Sequence, residues 1–424
     1  MKTTQLLFKN RRPGETVFME GYKATGGYRA LEKPLTTSRP VDIRNLVKDA
    51  GLRGRGGAGF PTGVKWNFFP ADAPGPKYLV CNCDEMEPGT YKDGELLAAD
   101  PHQLVEGMIL SAYALQTEVG YIFIRFAYEQ QAGYLRRAVE EAKAAGFIGK
   151  NILGSGFDFE LFVHGSAGRY ILGEETALLN GLEGKRPNPR LKPPFPATRG
   201  LFGRPTTVNN VETIANIPHI VNGGAHWFRD LALTPGSSGT KLYGLSGHFN
   251  VTECFELPVG IPLREIVENY GGGVRGGRKF KACLPGGAST PYLTAAHLDV
   301  ALDFSSLEEV DSRYGTAGVT AFDDRTCMVA ATLNLIQFFA RESCGWCTPC
   351  RDGLTMVRWL LETIDQGQGT PEHLDMLKEQ LKNISGNSFC ALAEGAMGPV
   401  AGLLQHFEQE IVDHIETGRC PFRQ

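Results

Sequence analysis

Between residues 78 and 182 short apolar runs alternate with helical periodicity, and this alternation constrains the fold more than any other feature. Residues 78–83 read as an apolar strand that runs into Asp84 and Glu85. Residues 121–126 read as a second strand, and 157–163 alternate as a third. Between them, residues 102–116 carry Leu104, Met108 and Leu115 along one helical side. Residues 129–145 place Leu135, Ala138, Val139 and Ala142 on another, and 174–182 begin a further helix. Strands separated by helices need parallel crossovers, so the expected class is α/β with a helix-flanked parallel sheet. Ligands in such sheets bind outside the carboxyl ends of the strands.

The flanking regions differ. The first forty residues read as irregular, and residues 41–50 as a short helix with Gly51 as its C-cap. Residues 185–204 form a proline-rich loop with six cations (Lys185, Arg186, Arg190, Lys192, Arg199, Arg204) and no acid, which reads as a solvated face or as a site for an anionic ligand. From 241 to about 322 short strands surround one short helix, 263–270, as in a small α+β domain. From 325 onward helical periodicity dominates, over 328–340, 354–364, 373–381 and 401–415.

Charge narrows the function. With 43 basic and 47 acidic residues the net charge is -4, which argues against a general nucleic-acid binder. No run of 18 apolar residues occurs, so no membrane span is expected. The first twenty residues lack an apolar signal-peptide core, so a cytoplasmic location is expected. The ten cysteines are then read as thiols or metal ligands.

The strongest chemical signal is Cys344-Gly-Trp-Cys347-Thr-Pro-Cys350, with Cys390 further on. Three thiolates at three-residue spacing can wrap one face of a cluster and a distant fourth can close it, as a [4Fe–4S] cubane requires. Structural zinc more often uses two separated Cys-x-x-Cys pairs. A redox pair would leave two cysteines unexplained. The other six cysteines show no such spacing and read as ordinary buried or surface thiols.

Glycine makes up 52 of the 424 residues, about 12% against a usual value of about 7%. Part of that excess is one loop, Gly54-Arg55-Gly56-Gly57-Ala58-Gly59-Phe60-Pro61-Thr62-Gly63. Gly54, Gly56 and Gly59 match G-x-G-x-x-G, but the loop follows a helix and runs into Pro61, where a dinucleotide fingerprint follows a strand and opens a helix. A surface turn therefore stands beside a ligand loop whose N–H groups face an anion or a flat ring. Phe60, Lys65, Trp66 and Phe68 add aromatic faces and a cation. Asn82, Asp84, Glu85 and Glu87 lie at the end of the first strand, where an ordinary acidic strand end is the alternative. Glu174 and Glu175 open a helix, where capping is the alternative. Asn209 and Asn210 read as turn residues or as amides for a polar ligand edge.

Together these motifs resemble the NADH-binding flavoprotein subunits of bacterial respiratory complex I, the F subunits of NADH-quinone oxidoreductases. The resemblance is carried by residues 54–65 (GRGGAGFPTGVK), 81–93 (CNCDEMEPGTYKD), 167–176 (AGRYILGEET), 192–197 (KPPFPA), 208–213 (VNNVET) and 342–352 (ESCGWCTPCRD). It implies a Rossmann-like FMN/NADH-binding domain with an N-terminal segment over 1–240, a ubiquitin-like domain over 241–324 and a helical [4Fe–4S] domain over 325–424. It implies that the loop from Gly54 to Gly59, with Arg55, Gly56, Gly57 and Ala58, contacts NADH together with Phe60 and Phe68. Lys65, Asn82, Asp84, Glu174 and Asn210 would line FMN, with Glu87, Glu175, Lys192 and Phe195 around the dinucleotide. Glu85, Tyr170, Gly173, Asn209 and Thr213, inside the same motifs, count with the cofactor-binding residues, and Glu87 is the catalytic assignment. Cys344, Cys347, Cys350 and Cys390 would hold the cluster.

The implied activity is hydride transfer from NADH to FMN, then one-electron transfer to the cluster and onward towards quinone. No second cysteine set of cluster spacing is present, so the onward clusters would belong to partners. The family's partners are a [2Fe–2S] thioredoxin-like subunit and a large iron–sulfur subunit, on a membrane arm whose cytoplasmic face such a chain would meet peripherally. The diaphorase subunit of an NAD-linked hydrogenase or formate dehydrogenase has the same site. An electron-relay or zinc scaffold without flavin is the rival of another class. Two positions depart from the family's pattern: Cys83, where alanine is usual, and Gly94, where arginine is usual.

Overall fold

The computed structural model describes residues 4–422, apart from the side chain of Lys33. Its contacts divide the chain into two compact units, one of residues 1–86, 91–243 and 254–260, the other of 87–90, 244–253 and 261–424.

The first unit is built on a four-stranded, wholly parallel sheet in the order β3-β2-β1-β4. The strands are β1 (Tyr78–Cys83), β2 (Val119–Ile124), β3 (Glu160–Gly165) and β4 (Thr206–Asn210). Val80 pairs with Tyr121 on one side and Val208 on the other. The chain thus leaves β1 towards β2 and returns on the opposite side as β4. That reversal opens a crevice at the carboxyl ends of β1 and β4, where α/β sheets bind ligands.

Several boundaries differ from the sequence reading. The second strand lies two residues earlier than expected, because the Arg125 amide already caps the Cys83 carbonyl and Phe126 is exposed. The third lies later, because Phe159 is used in a bridge to Gly149 and in the core. β4 was not expected at all: Thr-Thr-Val-Asn-Asn has no apolar period, yet four of its five residues are buried. Its polar groups are paired, with Thr206 Oγ1 accepting the Leu201 amide and Asn209 Oδ1 accepting the Trp66 indole. Helix Pro101–Leu115 buries every residue but Tyr113, so its apolar residues are not confined to one side.

Nor are the first forty residues irregular. Helices Met19–Ala24 and Arg29–Thr37 bury Tyr22, Leu31 and Leu35, with Tyr28 in a left-handed conformation between them. The Tyr28 hydroxyl pairs with His102 Nδ1 at 2.7 Å, and Tyr22 donates to Glu106. Tertiary burial here overrides a local glycine and proline content that reads as a breaker. Strand β5 is Thr240–Gly247 and β6 is Cys254–Pro258. Glu256 of β6 accepts the Leu6 and Phe8 amides, which ties down the N-terminal segment.

In the second unit residues 244–247 of β5 pair parallel with β9 (Gly318–Asp323). β9 pairs antiparallel with β7 (Phe280–Leu284), and β7 with β8 (Leu293–Thr294). Five helices follow: Met328–Glu342, Leu354–Asp365, Pro371–Ile384, Ala391–His406 and Glu408–Thr417. The single helix expected over 401–415 is in fact the last two, broken at Phe407. The first of them escaped notice because its start is rich in glycine and alanine and holds Pro399. No helix among the described residues is long and apolar enough to cross a membrane.

Candidate cofactor site and cysteine cluster

At the crevice the glycine loop closes on itself before it meets anything else. Arg53 and Pro61 form an antiparallel bridge, the Gly54 amide donates to the Phe60 carbonyl at 2.9 Å, and Arg53 Nε donates to the Gly59 carbonyl at 2.7 Å. Gly57 has φ 125° and Gly59 φ 66°, conformations that side-chain-bearing residues rarely adopt. The loop does open a helix, Thr62–Asn67, with Pro61 at the N-cap, contrary to the sequence reading. Pro61 escaped notice as a helix start because its φ of -60° suits a cap as well as a turn.

Several expected ligand residues also hold this loop in place. Thr213 Oγ1 accepts the Arg55 amide at 2.8 Å. Arg55 is buried, and its guanidinium donates to the Ser238 carbonyl. Asn209 holds Trp66 at 3.0 Å. Phe60, Ala58, Phe68 and Phe195 are exposed and free to meet a ring.

At the end of β1, Asn82 donates to the Gly173 carbonyl at 2.9 Å and accepts the Asp84 amide at 3.1 Å. This ties β1 to the turn Tyr170–Gly173, in which Tyr170 is half-buried. Asp84 is buried, with one oxygen on Ser166 at 2.9 Å and the other without a hydrogen-bond partner. Burial pushes its carboxyl up to about 6, against the opposing pull of Ser166 and Arg125. A buried acceptor in need of a donor fits a polar ligand edge.

Glu174 and Glu175 separate cleanly. Glu174 is the N-cap of helix Glu175–Leu182, taking the amides of Thr176 and Ala177 at 2.9 and 2.8 Å, with Lys192 at 3.5 Å. Glu175 lies between Lys65 at 2.8 Å and Lys192 at 2.7 Å. Burial alone would raise its carboxyl, but the two ammonium groups outweigh it and hold it at about 2. Lys65 also donates to the Val208 carbonyl, so β4 positions this triad.

Behind the crevice lies a buried charge group that the sequence reading missed. Asn210 caps helix Val211–Ala215 and donates to Asp93 at 2.7 Å. Lys92 pairs with Asp93 at 2.6 Å and with Glu212 at 3.0 Å, and Glu212 pairs with Lys241 at 2.6 Å. Burial lowers Lys241 to about 8 despite Glu212. Glu85 takes the amides of Asp93 and Gly94 and the Tyr128 hydroxyl, so it caps helix Lys92–Ala99. A Cβ on Gly94 would lie 2.9 Å from the Tyr128 ring, so Tyr128 fills the space that a longer side chain would need. Lys92 and Asp93 lay inside a quoted motif; Lys241 and Tyr128 gave no local signal. Cys83, the other departure, is buried in the core beneath.

Glu87, the catalytic assignment, belongs to the second unit, where its carboxylate accepts the Ser289 amide at 2.7 Å.

In that second unit Cys344, Cys347 and Cys350 run into a single π turn, Pro349–Gly353. Cys350 is buried, with its sulfur 3.1 Å from Ser343 Oγ. Burial raises its thiol, and Cys344 and Cys347 raise it further. The amide of Phe389 lies 3.4 Å from the Cys347 sulfur, and its ring stacks on Trp346 at 6.0 Å. Cys390, the next residue and the N-cap of helix Ala391–His406, is thereby brought to the triplet. Three thiols in one short segment, with Cys390 next to a residue whose amide is aimed at one of their sulfurs, fit a cubane cluster.

The models of two families match the chain: the Nuo51 FMN-binding domain over residues 47–219 and the NADH-ubiquinone oxidoreductase-F iron-sulfur binding region over 330–414. One of the NADH-quinone oxidoreductase F subunits of Rhizobium meliloti strain 1021 is 50% identical over 417 residues, covering 98% of this chain and 99% of that protein. The NADH-quinone oxidoreductase F subunit of Escherichia coli K12 is 51% identical, covering 96% of this chain and 92% of that one. Among solved structures, an NAD+-reducing [NiFe]-hydrogenase in the H2-reduced state matches with TM-score 0.84 and 36% identity, covering 97% of this chain and 67% of that chain.

Proposed function

Because the chain belongs to the family of NADH-quinone oxidoreductase F subunits, we propose that the crevice between β1 and β4 holds FMN with NADH against it. The chain is an oxidoreductase subunit that carries electrons from NADH, through FMN, to a [4Fe–4S] cluster. When bound, the flavin supplies the exchange between a two-electron hydride and the single electrons an iron–sulfur cluster takes. The observation that carries the site is the closed glycine loop beside the Lys65–Glu175–Lys192 triad, at the switch point of the sheet.

The residues divide the task. The loop from Gly54 to Gly59 offers backbone to a flat ring, with Phe60, Phe68 and Phe195 as exposed aromatic faces. Lys65 and Lys192 attract phosphate and hold Glu175 ionised, so Glu175 can accept from ribose hydroxyls. Asp84 and Asn82 present polar edges at the end of β1, and Asn210 at the end of β4. Arg55, Asn209, Thr213 and Glu85 act by holding the loop and helices in position, which is most of what hydride transfer asks of a protein. Glu87 retains its catalytic assignment, and Cys344, Cys347, Cys350 and Cys390 would ligate the cluster.

The same reading divides the chain into an FMN domain to residue 240, a ubiquitin-like domain over 241–324 and a cluster domain from 325. As a subunit of complex I, the chain works within a larger assembly. The fitting partners are a [2Fe–2S] thioredoxin-like subunit and a large iron–sulfur subunit, with the assembly on the cytoplasmic face of a membrane arm. A hydrogenase-linked diaphorase is the second reading, supported by the solved structure at 36% identity.

An absorbance spectrum of the purified chain tests the site. Flavin bands released by denaturation, over broad iron–sulfur absorption, are expected. A colourless protein that gains no flavin on incubation with FMN refutes the reading. Co-purification with iron–sulfur and membrane subunits, against co-purification with a hydrogenase, decides between the two assemblies.

A further inference from the structure

Four ligating side chains that the function does not use meet at one buried point of the second unit. Cys327 stands just before helix Met328–Glu342, and Asp365 ends helix Leu354–Asp365. His414 lies in helix Glu408–Thr417, and Cys420 follows in the turn after it. All four are buried, and one ligand atom from each lies within 4.8 Å of the other three. We propose that Cys327, Asp365, His414 and Cys420 bind a structural zinc ion, separate from the cysteine cluster.

The donor set suits zinc. Two thiolates and an imidazole are soft to borderline ligands, and a carboxylate completes a tetrahedron. Bonds of about 2.0–2.3 Å set tetrahedral edges of roughly 3.3–3.8 Å, so the site needs to contract by about 1 Å. The edge from Cys327 Sγ to His414 Nε2 is already 3.4 Å. With four protein ligands no position is left open, which is the pattern of structural and not catalytic zinc.

The surroundings orient the ligands. His414 Nδ1 donates to the Glu410 carbonyl at 2.6 Å, which leaves the Nε2 lone pair facing Cys327. The Glu410 carboxylate accepts the Met328 amide at 2.9 Å and pairs with Lys281 at 2.5 Å, so one residue braces both sides of the site. Two turns carry Asp365 and Cys420 together. A Cβ on Gly367 would collide with the Gly418 carbonyl oxygen, so only glycine lets these backbones meet. Binding would balance simply: each thiol loses its proton to solvent as a Zn–S bond forms, with no change in oxidation state.

The site is remote from the cluster. Helix Met328–Glu342 has 15 residues and spans about 22 Å, with Cys327 before its start and Cys344 beyond its end. The zinc would tie the start of that helix to the ends of two others, and so hold the frame on which the cluster cysteines stand.

The test uses the full chain purified after growth with added zinc. Elemental analysis should find about one zinc per chain, and zinc-edge X-ray absorption a shell of two sulfurs near about 2.3 Å and two lighter atoms near about 2.0 Å. In the Cys327→Ser/Cys420→Ser double variant zinc should fall to background while iron content stays as in the wild type. The absorption experiment needs only wild-type protein, so a variant that fails to fold leaves the proposal testable. A four-sulfur shell would place the ion in the other cysteine set and overturn it. So would zinc-free protein, zinc retained in the double variant, or a Cys327–Cys420 disulfide mapped in protein prepared without air.

Discussion

At Glu175 a carboxylate is held between two ammonium groups, Lys65 and Lys192, while its neighbour Glu174 is committed to the backbone of its own helix. The two should respond differently to substitution. Glu175→Gln removes one negative charge, leaving Lys65 unpaired and Lys192 with Glu174 alone, so a 2′-phosphate is repelled less. NADPH turnover should rise by about one to two decades, each decade being about 1.4 kcal/mol. NADH turnover should fall modestly. Steady-state kinetics with both nucleotides check this, and an unchanged preference would place discrimination in the 185–204 loop. Glu174→Ala should instead cost about 0.5–2 kcal/mol of stability through the lost cap, read from thermal unfolding. Asp84 gives a pH signature. Burial raises its carboxyl to about 6, above the ordinary value near 4. The folded state therefore keeps a proton that the unfolded chain releases, and Asp84's contribution to stability is lost as pH rises through that window. Asp84→Asn should be more stable relative to wild type at pH 7 than at pH 4; denaturant titrations showing a constant difference would refute the shift.

Among the elements, the glycine loop and the helix starting at Val211 frame the proposed site. Gly57, at φ 125°, is where a branched residue is most strained. Gly57→Val should raise the Michaelis constant for NADH about tenfold or more while the protein still folds. An unchanged constant with a normal melting curve would remove the loop from the site. Helix Val211–Ala215 presents Glu212 to two buried lysines, Lys92 and Lys241. Glu212→Gln leaves Lys241 without its acid and Lys92 with Asp93 and Glu85, and should cost about 3–5 kcal/mol. Adding Lys241→Met should recover part of that loss, because the unpaired charge goes with it. Additive losses in chemical denaturation would show that the pair is not coupled. No local pattern announces this charge group, because its partners come from distant segments. Lys241 lies 29 residues from Glu212, and no period or spacing joins them. β4 was illegible for a related reason: its burial is supported by polar partners such as Trp66, not by apolar alternation.

For the whole molecule, the proposed assignment puts the flavin crevice in the unit with the parallel sheet and the cluster in the unit with the cysteines, with Glu87 in the second. The two functions should therefore separate. Cys344→Ala, Cys347→Ala, Cys350→Ala or Cys390→Ala should each lose the cluster, since a cubane takes four protein ligands. NADH oxidation by ferricyanide should survive, because a small oxidant can take electrons from the flavin directly. Iron and sulfide assays beside that activity check both halves. Four irons per chain retained in any variant would acquit that cysteine, and loss of ferricyanide activity in all would show that the units do not work apart.

What the sequence determined by itself was whatever short-range pattern encodes. An unbroken apolar run placed β1, which is buried on both faces, and a one-sided apolar period placed helix Glu129–Ala144, each almost to the residue. The triplet from Cys344 to Cys350 declared a cluster because its ligands are close in the chain. The tertiary structure decided what depends on a distant partner. It made Glu174 a cap and Glu175 a paired ion, although both open the same helix. It gave Arg55, Asn209 and Thr213 partners inside the protein that no local pattern announces. It gathered Cys327, Asp365, His414 and Cys420 from widely separated segments, where each alone reads as an ordinary core residue. Buried polar groups must be satisfied wherever a partner can be found, and the chain folds back far beyond the reach of any local pattern to find one.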